Sequence, residues 1–121
     1  MNRPDFGVLF RRPIFPVVGF ADDRLISSLY LTMLALILVR LGSSSGEDIV
    51  KLVDSTGVEF WYSCEQRVLS PGFMGKRWTK RQIIDLYNSH IESARRYSMH
   101  SLSNKRLSEI VAEISDSIRS L

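Results

Sequence analysis

Apolar and polar positions along this chain follow a period near two in some stretches and a helical period in others. Residues 49–53 (Ile-Val-Lys-Leu-Val) and 58–62 (Val-Glu-Phe-Trp-Tyr) are β-branched and aromatic, and Asp54-Ser55-Thr56-Gly57 separates them. Two such runs joined by an Asp/Gly turn predict a β-hairpin. Val68-Leu69 predicts a further short strand, ended by Ser70-Pro71-Gly72 with Pro and Gly in the order of a type II turn. Nearer the N-terminus, residues 7–10 and 17–20 are apolar but Pro13 and Pro16 lie between them. Proline cannot donate to a ladder, so this region reads as an irregular or edge strand.

Three segments carry helical signals. The first is expected over 22–41, with Asp22 or Asp23 as N-cap, Gly42 just past the end and Arg40 complementing the carboxyl terminus of the dipole. From Leu29 to Val39 only Thr32 is polar, and a helix apolar all round must find burial all round. Three burials are open: the centre of the fold, an oligomer interface and a membrane. The run from Leu25 to Leu41 is 17 residues long and includes Ser27, Ser28, Thr32 and Arg40. A membrane span wants about 20 apolar residues, so the chain's own core is the reading adopted.

The second helix is marked by Thr79 and Gln82 as a capping box and by Trp78 and Ile83 as a hydrophobic staple, with Ile84, Tyr87, Ile91 and Ala94 continuing an apolar face. Arg81/Asp85 and Glu92/Arg96 stand four apart on its other side. A last helix begins near Ser103, with Leu102 and Leu107 as its staple. Its stripe of Leu107, Val111, Ile114, Ile118 and Leu121 spans only two heptads, which suits intradomain packing better than a free coiled coil. The fold expected is α+β, a small single domain over 1–121 in the order β-α-β-hairpin-α-α, with a short antiparallel sheet packed against three helices.

Composition changes this picture little, but charge does. At 121 residues, 45% apolar and 24% charged, the chain falls outside the disordered classes. Cys64 is the only cysteine, so there is no intramolecular disulfide framework; with no signal-peptide pattern at the N-terminus, a cytoplasmic location is expected. The net charge of +3 is unevenly spread. Between Arg67 and Arg106 nine Lys/Arg face only Asp85 and Glu92, whereas residues 1–66 and 107–121 each come to −2. Such polarity points to an anionic partner: nucleic acid, a phosphate ligand or an acidic protein.

The candidate sites follow from that. Residues 72–81 (Gly-Phe-Met-Gly-Lys-Arg-Trp-Thr-Lys-Arg) open a capped helix with four cations. They are not a Walker A loop, because Ser70 stands where its first glycine belongs and Arg77 where its Ser/Thr belongs. The helix amides and clustered cations instead suggest an anion or partner site formed by Arg67, Lys76, Arg77, Trp78, Lys80 and Arg81, with Phe73 and Trp78 available for stacking. A second candidate is a ligand pocket between the aromatic hairpin and the helices, lined by Trp61, Tyr62 and His90.

No catalytic residue, metal site or cofactor is assigned. His90 and His100 are the only histidines, and with one cysteine they match no closed metal spacing or nucleophilic triad. Asp22, Asp23, Glu47, Asp48 and Asp54 read as helix, loop and turn residues. The function expected is that of a non-enzymatic binding protein, homodimeric through its apolar helix or heptad stripe, with a basic surface for an anionic partner. A small-ligand-binding domain or enzyme is the alternative.

Overall fold

The computed structural model describes residues 6–44 and 48–121. Strands β1 (Gly7–Val8), β2 (Val17–Ala21), β3 (Arg24–Ser28), β4 (Ile49–Val53), β5 (Glu59–Ser63) and β6 (Val68–Pro71) form one sheet in the order β1-β6-β5-β4-β2-β3. Around it lie α1 (Leu31–Ser44), α2 (Lys80–Asn88), α3 (Ser101–Asn104) and α4 (Leu107–Arg119). The domain is α+β as expected, with four described helices where three were anticipated. Its sheet is mixed, because β1 runs parallel to β6 while every other pair is antiparallel.

The first helix starts later than its sequence suggested. Asp22 and Asp23 do not cap it; both adopt left-handed backbone, φ 52° and 60°, and make the two-residue loop joining β2 to β3. Consecutive left-handed residues match the twist of a hairpin, and Asp is among the few side chains that tolerate them. β2 consequently lies inside the sheet, between β3 and β4, and the two edges of the sheet are β1 and β3. Gly42 lies within α1 rather than after it. A Cβ there would stand 3.3 Å from Cys64 Cβ, so close packing onto half-buried Cys64 is the reason for glycine. The connector expected at 43–46 lies partly outside the described residues, as does Glu47.

Alternation along the strands divides the core in two. On one sheet face Val17, Ala21, Ile26, Leu52, Phe60, Tyr62 and Leu69 pack against Leu34, Leu38 and Leu41 of α1. On the other, Val18 and Val53 pack against Ile83, Ile84 and Tyr87 of α2 and Ile110, Val111, Ile114 and Ile118 of α4. The last helix thus spends its stripe from Leu107 to Ile118 inside the domain, whereas Leu121, expected to end that stripe, lies past the helix and is exposed. α1 is buried along one side only, and its outer side leaves Leu36 45% exposed. Among the described residues no helix is long and apolar enough to cross a membrane.

The helix ends follow local chemistry. Thr79 Oγ1 accepts from Gln82 N–H at 3.2 Å while Gln82 Oε1 accepts from Thr79 N–H at 2.9 Å, the capping box read from sequence. α2 stops at Asn88, short of Ile91 and Ala94, because a 3₁₀ turn at Ser93–Arg95 follows. In that turn Glu92 pairs with Arg95 at 3.1 Å instead of the expected Arg96. The final helix is broken near its expected start. Lys105 and Arg106 are extended, so the Lys105 ammonium reaches Glu113 at 2.6 Å and Glu109 accepts from Arg106 N–H at 3.1 Å.

Candidate functional site

α4 packs on β2 and β3, α2 packs on α4, and the two helices reach Val53 at the end of β4, which leaves the rest of that sheet face more open, with Lys51 exposed and Trp61 and Ser70 half-buried. Register places Lys51, Trp61 and Ser70 side by side there, with Glu59 next to Trp61 on the same face. Lys51 is exposed and its ammonium lies 5.4 Å from the Trp61 ring centroid, a cation–π contact. Phe73, 83% exposed, meets Trp61 edge-on at 4.7 Å. Beside it Met74 is also exposed.

Glu59 organises this face from beneath. Although only 3% exposed, its carboxylate accepts from Trp61 Nε1 at 2.7 Å and from Trp78 Nε1 at 2.9 Å. The Lys76 ammonium stands 3.9 Å from Glu59 Oε1 and 5.4 Å from the Trp78 ring centroid. Burial by itself would push the Glu59 carboxyl up. The two indole donors, joined by the charges of Lys76 and Lys51, outweigh it and hold the group below the ordinary value of 4.5. A buried, charged carboxylate with one bond to each indole fixes the orientation of both rings.

The loop after β6 is pinned to β5 by backbone. Gly72 N–H donates to Glu59 C=O at 2.9 Å, Glu59 N–H to Lys76 C=O at 3.0 Å and Trp78 N–H to Gly57 C=O at 2.7 Å. A Cβ on Gly72 would lie 2.9 Å from Trp61 Nε1, so this position must be glycine for the indole to reach Glu59. Beyond Trp78 the surface continues along α2 as a shallow groove of about 330 Å³ lined by Lys76, Trp78, Gln82, Asp85 and His90. There the His90 ring stacks on Phe20 with centroids 3.6 Å apart.

The residues anticipated from sequence are distributed unequally. Lys76 and Trp78 share this surface, whereas Arg77, exposed, pairs by a backbone bridge with Val58 and so lies toward the opposite, α1 side of the sheet. Lys80 turns the other way and donates to Leu102 C=O at 3.2 Å, while Arg81 is exposed on the first turn of α2. Arg67 sits at the β5–β6 turn, at the end of β5 opposite Glu59. The cap bonds of Thr79 occupy part of the helix terminus that an anion would use.

The pocket trio is likewise divided. Trp61 and His90 lie toward the α2 side, whereas Tyr62 belongs to the α1 core, stacked on Phe6 with centroids 5.6 Å apart. Among the described residues the buried Tyr62 hydroxyl has no hydrogen-bond partner, and burial pushes its pKa up, assisted by Cys64 and opposed by Arg67. Glu59 was not singled out from sequence. Its signal was available: alternation through 59–62 puts it on the face of Trp61, where a carboxylate needs donors. Among the described residues no group of His, Cys, Asp and Glu could hold a metal ion.

Searches against protein-family models, curated proteins and solved structures find no match for this chain.

Proposed function

We propose that this protein is a binding module whose open sheet half and adjoining loop engage an anionic partner, with single-stranded nucleic acid as the chemistry that fits best. The observation that carries this reading is the group of Trp61, Phe73 and Trp78 interleaved with Lys51 and Lys76 on one surface. Flat bases stack on aromatic rings and phosphates pair with the cations around them, without any need for base-specific contacts. The nearby acid is largely consumed, because Glu59 is buried and committed to two indoles.

The test is fluorescence anisotropy with labelled oligothymidine at low and physiological salt, with an acidic peptide as comparison. Saturable binding that weakens steeply with salt, and that Lys51→Glu reduces about tenfold without shifting the melting temperature, supports the reading. Absence of oligonucleotide binding at low salt contradicts it; binding of the peptide alone would point to an acidic protein as partner.

The homodimer is proposed through α1. Between Leu25 and Leu41 Arg40 is the only charged residue, and Leu29 just before the helix and Leu36 on its outer side are exposed. Two such charge-poor faces are complementary to each other. Light scattering is expected to give a dimer that Leu36→Glu converts to monomer; a monomeric parent chain removes this part of the reading.

A further inference from the structure

The sheet ends on β3, and that edge lies in a groove between helices that belong to opposite faces. β3 pairs with β2 alone. Its closing pair beside the two-residue loop is Ala21↔Arg24, which in such a hairpin exchanges both backbone bonds. Alternation from there directs the N–H and C=O of Arg24, Ile26 and Ser28 to β2 and those of Leu25 and Ser27 away from the sheet. Ile37 and Arg40 of α1 wall this edge on one side, Ile118 and Arg119 of α4 on the other, around a groove of about 340 Å³. Ser27 is nevertheless only 6% exposed, its hydroxyl bound to Ser115 C=O at 3.1 Å.

We propose that this groove receives an extended, acidic segment of a partner protein, which adds to β3 as a seventh strand. Backbone polar groups recessed from solvent are costly unless paired, and an added strand pairs those of Leu25 and Ser27 without disturbing the ladder to β2. Ile37 and Ile118 offer apolar contact above and below the strand. Arg24 supplies a guanidinium group for carboxylates, and Arg40 and the Asp116-paired Arg119 line the same groove and add to its positive charge. The same charges disfavour a second copy, since joining two β3 edges brings both sets of arginines together. The proposal does not depend on the reading of the open sheet half, which lies at the other end of the strand order.

The experiment uses the full chain and a fluorescein-labelled octapeptide alternating valine and glutamate. Saturable binding is expected, with amide exchange slowed at Leu25 and Ser27 and unchanged at Ile26, whose N–H already faces β2. N-methylation of alternate peptide amides is expected to lose the binding, and Arg24→Glu to weaken it about tenfold. Leu25→Pro removes an outward N–H together with a half-buried side chain packed on the α2/α4 core, so a lower melting temperature is expected, and it should lose peptide binding while the circular dichroism melt remains cooperative. If that variant fails to fold, exchange at Leu25 and Ser27 in the parent chain decides. Equal binding of the N-methylated peptide, no saturation up to millimolar peptide, or protection confined to residues outside β3 would overturn the proposal. So would a parent dimer whose own interface protects Leu25 and Ser27.

Discussion

Two buried carboxylates sit five positions apart on the β4–β5 hairpin, and they serve different ends. Asp54, fully buried, accepts from Thr56 N–H at 2.9 Å, Thr56 Oγ1 at 2.6 Å, Val58 N–H at 3.1 Å and Ile14 N–H at 3.0 Å. Three of these four donors are backbone, so Asp54 closes the turn and fastens the N-terminal segment to it. Glu59 accepts from two indole side chains that form part of the exposed surface. One carboxylate therefore holds the chain to itself, and the other arranges a surface for something else. A buried acid reveals its role by the origin of its donors.

The largest effect should come from Asp54→Ala. It strands the N–H groups of Ile14, Thr56 and Val58, and a loss of about 3 kcal/mol is expected in urea unfolding. Glu59→Gln is milder, because the carboxamide keeps an acceptor for one indole but sets an N–H₂ against the other. It should cost about 1 to 2 kcal/mol. Its distinguishing result is a change in tryptophan emission at constant fold content, which Asp54→Ala would not give before unfolding. Equal loss of fold in the two variants would dissolve the contrast.

Acid sharpens it further. The folded-state pKa of Glu59 is depressed below the ordinary 4.5. Its contribution to stability is thus complete above that value and is lost as pH falls through the folded pKa. Unfolding free energy of the parent should decline below about pH 4.5 more steeply than that of Glu59→Gln, measured by urea titrations across the acid range. The smallest effect on stability is expected for Phe73→Ala, within about 0.5 kcal/mol because the ring is so exposed. That same change should weaken oligothymidine binding about tenfold, the worth of one stacked base.

Legibility differed along the chain for physical reasons. The β4–β5 hairpin, the Thr79/Gln82 capping box and the inward stripe of α4 depend on neighbours in sequence, and all were readable. Asp22-Asp23 was misleading because Asp favours both helix caps and left-handed turns; only pairing of 17–21 with both 24–28 and β4 decides between them. The parallel contact of β1 with β6 joins residues some sixty positions apart and leaves no local trace. At the candidate site the Lys76–Trp78 segment stood out through composition. Glu59 and Lys51 did not, since their meaning arises from cross-strand register and from a helix layer that reaches Val53 but leaves Lys51 exposed.

The central claim is that the open half of the sheet is the binding face. Its most direct test is an amide and indole N–H nitrogen-15 NMR titration of the full chain with oligothymidine at low salt. Shifts are predicted to concentrate at Lys51, the Trp61 and Trp78 indoles, Phe73 and Lys76, with α1 and β3 silent. Shifts clustered instead on α1, on β3 or around Arg67, with both indole signals unmoved, would contradict it.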